Sequence, residues 1–258
     1  APGEIKAVSY AGSKPVAEQV KKTAGPAAAL KMTPITGPGG LRADGGDVAF
    51  PQWSVDGALA LMDRNGIATA MTSISAPGVH FGDDAAARTL ARRCNEYSAR
   101  LISNHPRRFG AFAAVPMPDV DGTLDEIAYA LDTLRLDGVV LLASVGERYL
   151  GDPAFEPVFA ELNRRKAVTF IHPTVPVTSR ALDLALPGAL IEFVFDTTRA
   201  VANLIYSGTL ERYPDIPFIL SHAGGTIPFL AWRMTLGSMI PALHEKAPQG
   251  AIAYLKRL

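Results

Sequence analysis

Short apolar runs alternate along this chain with longer segments whose apolar residues recur at helical spacing. The runs are apolar throughout and lack the polar–apolar alternation of a strand with one solvated face. We therefore predict buried strands at residues 67–74, 109–115, 139–143, 167–171 and 216–220, and residues 5–10 could add a sixth. Strands and helices in alternation predict an α/β fold with a parallel sheet covered by helices.

The segments between these strands carry local helix signals. One helix has its apolar positions four, three and four residues apart: Leu90, Cys94, Tyr97 and Leu101. Asp83 can cap this helix, and the position of Cys94 on its apolar face predicts core packing for that thiol. Thr123 and Glu126 have the spacing of a capping box. Later helices are predicted at about residues 155–166, 190–210 and 227–244.

The type of parallel fold is indicated by the loops that follow the predicted strands and by the number of strands. No Gly-rich phosphate-binding loop follows any predicted strand, which disfavours a nucleotide-binding doubly wound sheet. A TIM-type (β/α) barrel fits better, although eight strands are needed to close one. We expect a single domain over residues 1–258. Pro and Gly accumulate between Gly25 and Gly46, so residues 11–52 predict a loop-rich insertion or lid.

Composition excludes some classes of function. The 258 residues are 48% hydrophobic and 19% charged, which is typical of a globular chain with a sizeable core. A formal net charge of +0 gives no indication of nucleic acid or an anionic membrane as a partner. The sequence contains no run of about 18 apolar residues, so it predicts no membrane-spanning helix. The single cysteine cannot form an intrachain disulfide, so we expect a reducing, cytoplasmic location.

Two of the histidines follow apolar runs closely. His172 comes directly after residues 167–171, and His222 comes two residues after residues 216–220 and before a pair of glycines. Because the carboxyl ends of parallel strands converge at the mouth of a barrel, both imidazoles could reach one metal ion or one substrate. Imidazole is a common zinc ligand and a natural acid or base near neutral pH. The alternative is that both are polar residues satisfied at strand ends.

Five other residues are candidates for contact with a substrate. His80 lies in a loop after a predicted strand and could line the mouth of the barrel. Glu147 could contact a substrate or lie in a solvated loop. Asp196 could contact a substrate or cap a helix. Arg199 and Arg42 could each bind a substrate carboxylate through two hydrogen bonds.

The longest informative stretches are FGAFAAVPMPDVDGTLDEIAYAL, DGVVLLASVGERYLGDPAFEPVFAELNRR, FIHPT and FDTTRAVANLIYSGTLERYPDIPFILSHAGGTIPFLAWR. Together they resemble the amidohydrolase-related family that includes aminocarboxymuconate semialdehyde decarboxylase and the resorcylate decarboxylases. The resemblance runs from about residue 53 to residue 258. It implies a (β/α)8 barrel and a metal-dependent decarboxylase or hydrolase of a small aromatic or unsaturated carboxylic acid. Zinc or manganese is the cofactor that it implies.

The resemblance also implies roles for individual residues. His172 matches the metal ligand after the fifth strand of the family, and His222 matches the acid/base after the sixth. The first strand of the family ends in a His-x-His pair of ligands, whereas positions 9–12 here contain no histidine. A final Asp ligand follows the family's eighth strand, and this sequence ends before the expected seventh and eighth strands.

Alternative hypotheses therefore stay open at the level of the sequence. In the first, the chain is an enzyme of this family, acting on a small carboxylic acid as a homodimer or a higher oligomer. In the second, it is a metal-free relative that binds a small acid, serves as a partner subunit or catalyses a different reaction, because most of the family's metal ligands are missing. In the third, the chain is a structural or truncated product with no activity of its own, and the family's final Asp ligand would lie beyond this sequence.

Overall fold

The structure is a computed structural model that describes residues 5–11, 14–21, 53–177, 179 and 186–258. Its strands are β1 (Ile5–Ala11), β2 (Lys14–Lys21), β3 (Ala70–Thr72), β4 (Phe109–Ala113), β5 (Gly138–Leu142), β6 (Ser144–Val145), β7 (Arg148–Tyr149), β8 (Thr169–His172) and β9 (Phe218–Leu220). A five-stranded parallel sheet has the order β3-β4-β5-β8-β9. Each of its strands falls within or next to a predicted apolar run, so the predicted α/β fold with a parallel sheet is confirmed.

Helices connect these strands. They are α1 (Val55–Arg64), α2 (Asp84–Asn104), α3 (Val120–Ala128), α4 (Glu156–Arg165), α5 (Glu192–Tyr206), α6 (Thr209–Arg212), α7 (Ile227–Met234), α8 (Pro241–Lys246) and α9 (Ala251–Leu255). The expected cap of α2 forms, because Asp83 accepts a hydrogen bond from the Ala86 amide, and Ser54 caps α1 by accepting one from the Gly57 amide. Among the helices described, none is both long and apolar enough to cross a membrane.

The two faces of the parallel sheet differ in how deeply they are buried. On one face, Val139 and Leu141 are at most 1% exposed and pack into the main core cluster with side chains from the helices. On the other face, Phe170 pairs in register with Ile219, which is 45% exposed. Both faces are apolar, and this is why the strands have continuous apolar sequences.

The N-terminal strand has a different partner from the one expected. Residues 5–10 were a candidate sixth strand of the parallel sheet, but β1 pairs antiparallel with β2 in a separate two-stranded sheet. The strand β2 occupies part of the predicted insertion at residues 11–52. Residues 22–52 lie outside the described part of the chain, so the lid stays a prediction, as does the single domain over residues 1–258.

The predicted helix at residues 227–244 is interrupted. Helix α7 ends at Met234, a 3₁₀ segment follows at Thr235–Met239, and α8 begins at Pro241. Proline lacks the amide hydrogen that a continuous helix would use, so it is favoured at the first position of a new helix. The hydrophobic periodicity indicated helix correctly on both sides, but it did not locate this break.

The predicted capping box at Thr123 and Glu126 is wrong. Helix α3 starts earlier, and Asp119 is its N-cap, accepting a hydrogen bond from the Gly122 amide. Glu126 is buried and instead accepts hydrogen bonds from Arg92 and Asn95. These partners lie on α2, more than 30 residues away along the chain, and a local sequence signature cannot detect them.

The core position predicted for Cys94 is confirmed. Its side chain is 7% exposed and packs with Val79, Ala91 and Ala114. Burial disfavours the thiolate and raises the pKa of the Cys94 thiol to about 11. A thiol in this environment is a packing residue and a poor nucleophile at neutral pH.

We expect Asp119→Ala to lower the free energy of unfolding by about 1–3 kcal/mol, because Asp119 caps α3 and accepts two hydrogen bonds from Arg88. The bonds from Arg88 lower the pKa of the Asp119 carboxyl in the folded state. Its contribution is therefore complete above the ordinary aspartate pKa and is lost as the pH falls below it. Urea denaturation of both proteins at pH 7 and at successively lower pH measures the difference.

The control for this prediction is Asp125→Ala, which removes the same charge from an exposed position on α3. Its effect on stability should be small, since surface substitutions away from such contacts have little effect. Equal losses in the two variants, or a loss in Asp119→Ala that does not shrink on acidification, would contradict the assignment.

Candidate active site

The structure brings His172 and His222 together at the carboxyl ends of adjacent strands. His172 is the last residue of β8, and His222 comes two residues after β9. Their ring centroids are 5.5 Å apart, and the ring planes are inclined by 67°. His172 is half-buried and His222 is exposed, so the pair extends from the wall of the sheet to the solvent.

The protonation of His172 follows from its own backbone contact. Its Nδ1 lies 2.8 Å from the carbonyl oxygen of Pro173. A carbonyl oxygen can only accept a hydrogen bond, so Nδ1 carries the hydrogen and donates it. In the neutral ring, Nε2 then carries the lone pair. This is the arrangement that a histidine adopts when Nε2 binds a metal ion or accepts a proton.

Aromatic side chains surround the two imidazoles. The ring centroid of Phe193, on α5, is 6.1 Å from that of His172 and 6.1 Å from that of His222. Phe170 packs edge-on against His172 at 6.1 Å and stacks on Phe112 at 5.3 Å. The imidazoles therefore lie at the boundary between an apolar wall and the solvent.

The turn after β9 has an unusual backbone. His222 and Ala223 both have a φ of 53°, in the left-handed region that favours glycine, and Gly224 and Gly225 follow with φ of 79° and 65°. Each non-glycine residue in this region costs of order 1–2 kcal/mol. Such strain occurs where the surrounding structure fixes the backbone, and here it presents His222 at the mouth of the sheet.

Contacts from α5 hold this turn in place. The Thr198 hydroxyl donates to the Val194 carbonyl at 2.6 Å and accepts from the Thr226 amide at 2.9 Å. Gly225 lies against the same Val194 carbonyl, and a Cβ at that position would collide with it. Thr198 and Gly225 together fix the distance between α5 and the residue that follows β9.

A cavity of about 430 Å³ opens at the same end of the sheet. Its walls are largely apolar and come from the ends of β3, β4, β5 and β8. The principal lining residues are Ile74, Val79, Phe81, Val115, Met117, Val140, Leu142, His80, Ser144 and Thr174. Leu142 is the register partner of His172, so the cavity adjoins the end of β8, although neither imidazole of the pair lines it. The volume and the few polar groups are typical of a site for a small organic ligand.

His80, a candidate from the sequence, lies in the wall of this cavity. Its Nδ1 accepts a hydrogen bond from the Gly82 amide at 3.2 Å, so the hydrogen is on Nε2, which lies 2.7 Å from a carboxylate oxygen of Asp84. Both ring nitrogens are therefore engaged with the loop and with α2. This arrangement makes His80 a part of the cavity wall whose orientation is fixed by its own loop.

Asp196 lies behind the cavity wall, and it is not a helix cap. It is fully buried within α5, where its Oδ2 accepts hydrogen bonds from the Thr174 amide at 2.9 Å and from the Ser144 hydroxyl at 3.2 Å. Burial raises the pKa of the Asp196 carboxyl, and the hydrogen bond from Thr174 opposes that shift. This buried position disfavours direct contact between Asp196 and a substrate.

The remaining candidates are farther from the cavity. Glu147 is exposed in the turn between β6 and β7, which agrees with the solvated-loop interpretation. Arg199 is exposed on α5, with its guanidinium 6.0 Å from the ring of Phe195. Neither residue lines the cavity. Arg42 lies outside the described residues, so its role as a carboxylate ligand stays a prediction.

The imidazole pair fits part of a metal site. Two imidazole ligands of one tetrahedral ion, with metal–nitrogen bonds of about 2.0–2.1 Å, have ring centroids roughly 5 Å apart. The observed separation of 5.5 Å is close to that. Among the described residues, however, no group of three or more His, Cys, Asp or Glu side chains could hold an ion. Catalytic metal sites use about three protein ligands, so the described residues do not complete one.

Four residues of this region were not identified from the sequence: Phe193, Thr198, Ser144 and Thr174. Their roles depend on contacts between segments that are 20 to 60 residues apart. One signal in the sequence could have indicated them. The polar cluster Asp-Thr-Thr lies between apolar residues of α5, at positions that the structure buries completely or nearly so. Buried polar residues need partners, which marks such a cluster as a tertiary contact site.

We expect Gly225→Ala to destabilise the protein more than Gly66→Ala. Both glycines have a φ of +65°, and at Gly225 the ψ of −128° adds a backbone conformation that a residue with a Cβ rarely adopts. A Cβ at Gly66 meets no atom within 4 Å, whereas a Cβ at Gly225 collides with the Val194 carbonyl. The excess loss in the free energy of unfolding should be about 1–3 kcal/mol, as for other overpacked sites. Denaturant titration of the two variants measures it, and equal losses would show that α5 does not hold this turn.

Comparison with known proteins supports the resemblance seen in the sequence. A family model described as amidohydrolase matches residues 25–249. The chain is 43% identical over 207 residues to decarboxylase yanB of Aspergillus niger. This alignment covers 75% of this chain and 56% of that protein. The chain is 40% identical over 206 residues to 6-methylsalicylic acid decarboxylase of Penicillium expansum, covering 77% and 63%.

A solved structure has the same fold. Dihydroxybenzoic acid decarboxylase of Polaromonas, with bound manganese and the inhibitor 2-nitroresorcinol, superposes with a TM-score of 0.67 at 28% identity. The match covers 71% of this chain and 59% of that one. The chain spans about three fifths of the length of the curated relatives it matches. On the family model and these identities, the chain belongs to the amidohydrolase family.

Proposed function

We propose that the protein is a decarboxylase of a small aromatic carboxylic acid. The observation that carries the proposal is the pair of imidazoles, 5.5 Å apart at the ends of adjacent parallel strands and beside an apolar cavity. The sequence left hydrolysis and decarboxylation open. The names of the relatives, which are decarboxylases of 6-methylsalicylic and dihydroxybenzoic acids, support decarboxylation.

The chemistry of the reaction indicates which groups the site must supply. A proton adds to the ring carbon that bears the carboxylate, the bond to the carboxylate breaks, and CO₂ leaves. The electron pair of the broken bond restores the aromatic ring. The catalyst therefore needs an acid within reach of a ring carbon and a pocket that holds the ring in a fixed orientation.

The two histidines fit different parts of this task. We assign the proton transfer to His222, because its imidazole is exposed and can recover a proton from water after each turnover. His172 is more buried, and its lone pair is on Nε2 while Nδ1 is held by Pro173. It is suited to orient the substrate or to serve as a ligand. The apolar cavity wall takes up the ring through burial of apolar surface.

A divalent metal ion, zinc or manganese, is part of the proposal. The manganese in the Polaromonas decarboxylase supports it. When bound, such an ion supplies Lewis-acid stabilisation of substrate oxygens. Within the described residues, His172 is the group placed to hold it, with the acid/base His222 beside it, and one or two ligands are fewer than a catalytic site usually has. The roles assigned above to the two histidines rest on their own geometry and do not depend on the ion.

Three further features are proposed together with the activity. The five parallel strands are taken to belong to an eight-stranded barrel, which the more open second face of the sheet supports. Self-association as a homodimer or a higher oligomer is supported by Phe229 and Trp232, which are 90% and 79% exposed on α7. A cytoplasmic location is proposed from the cysteine content of the sequence alone.

The proposal is tested by incubating the protein with 6-methylsalicylate or 2,6-dihydroxybenzoate, with Mn²⁺ or Zn²⁺ supplied, and measuring CO₂ release. We expect His222→Asn to lower turnover by at least about 100-fold, because the variant loses the acid/base group. The matched control is His244→Asn, which changes an exposed imidazole on α8 and should leave turnover unchanged.

Two results would contradict the proposal. If His222→Asn kept the turnover of the unaltered protein, His222 would not be the acid/base. If neither acid lost CO₂ with either metal present, while metal analysis found no bound ion, the metal-free alternative would be favoured. Stoichiometric zinc or manganese in the purified protein would exclude that alternative.

A further inference from the structure

The carboxylate of Asp196 connects two strand ends from inside the protein. It projects from α5, which packs against the sheet, and it is fully buried. Its Oδ2 accepts from the Thr174 amide, just after β8, and from the Ser144 hydroxyl at the start of β6. Both partners line the cavity, so one buried side chain determines the relative positions of two parts of its wall.

This carboxylate occupies an environment that is unfavourable for a charge. Its second oxygen, Oδ1, is buried and makes no hydrogen bond with any described residue. The Tyr149 hydroxyl is buried nearby and interacts with the Asp196 carboxylate, which helps to compensate its burial. A buried carboxylate is costly even when it accepts hydrogen bonds, and an apolar side chain would often serve stability as well. A role other than packing explains its presence better.

That role follows from the single peptide group between Pro173 and Thr174. Its N–H, on Thr174, donates to the Asp196 carboxylate at 2.9 Å. Its C=O, on Pro173, accepts from Nδ1 of His172 at 2.8 Å. The same peptide group is therefore held between the carboxylate and the imidazole. Hydrogen bonds in such a chain polarise one another, so an anionic acceptor on the N–H makes the C=O a stronger acceptor.

We propose that Asp196 is a positioning residue that fixes the tautomer and the ring orientation of His172 through the peptide group of Pro173 and Thr174. The inference rests on the proposed function for the role of His172 in the reaction. The carboxylate orients the peptide plane, the peptide carbonyl holds the hydrogen on Nδ1, and the lone pair is kept on Nε2. Asp196 itself touches neither the substrate nor the imidazole.

The experiment measures the tautomer of His172 directly. Long-range ¹H–¹⁵N correlation spectra of the histidine rings distinguish hydrogen on Nδ1 from hydrogen on Nε2 at a pH where the ring is neutral. In the unaltered protein, we expect His172 to carry hydrogen on Nδ1. Asp196→Ala should shift the ratio of the two tautomers toward hydrogen on Nε2 by roughly fivefold. This factor corresponds to the net free energy of one hydrogen bond.

Two companion variants make the result decisive. Asp196→Asn keeps an oxygen for Thr174 but loses the charge, so it should fold and shift the ratio in the same direction by about twofold. Asp119→Ala also removes a carboxylate that accepts a backbone N–H, but Asp119 caps α3 and its hydrogen-bond donors are Gly122 and Arg88. It should lower stability and leave the His172 tautomer unchanged.

The inference is overturned if His172 keeps the tautomer ratio of the unaltered protein in every folded Asp196 variant. It is also overturned if Asp119→Ala shifts the ratio as much as Asp196→Ala does. The measurement needs no substrate, so its outcome is separate from that of the decarboxylation assay. Absence of decarboxylation together with the predicted tautomer shift would remove the proposed function and keep the positioning role.

Discussion

The site depends on the first half of helix α5, whose contacts fix the positions of the strand ends. Within residues 193–198, Phe193 contacts both imidazoles, Asp196 holds the segments after β5 and β8, and Thr198 holds the turn after β9. These contacts all come from less than two turns of one helix. A helix is rigid over that length, so the strand ends that it touches have fixed positions relative to one another.

The polar contacts of this segment have a cost that packing alone does not explain. Asp196, Thr197 and Thr198 are buried although each carries a polar group, and burial raises the pKa of the Asp196 carboxyl. The turn that presents His222 adds backbone strain at two non-glycine residues. Strain and buried polar groups concentrated at one end of a sheet are typical of a functional site, because stability there is exchanged for fixed geometry.

The parts of the fold that were predictable from the sequence are those with a local signal. Continuous apolar runs located the parallel strands, and strand-end position identified His172 and His222 as neighbours. The predictions failed where a residue's role is determined by a partner that is distant along the chain. Glu126 has the spacing of a capping residue, but Arg92 and Asn95 on another helix bind its carboxylate.

The same reason explains what was missed at the site. Asp196 is separated by 22 residues from Thr174 and by 52 from Ser144, so its role depends on the folded sheet and not on any local pattern. The tautomer of His172 depends on one backbone carbonyl and carries no sequence signature. Family resemblance supplied roles for the two histidines, whereas the geometry supplied the contacts that hold them.

The central claim is that His172 and His222 form one site, and it is tested most directly by adding Mn²⁺ and following the ring resonances of the histidines. The paramagnetic ion broadens the signals of nuclei close to it. We expect the His172 and His222 signals to broaden together at the lowest concentrations, while those of the distant His105 and His244 stay sharp. Broadening of only one of the pair, or equal broadening of all four rings, would contradict the claim.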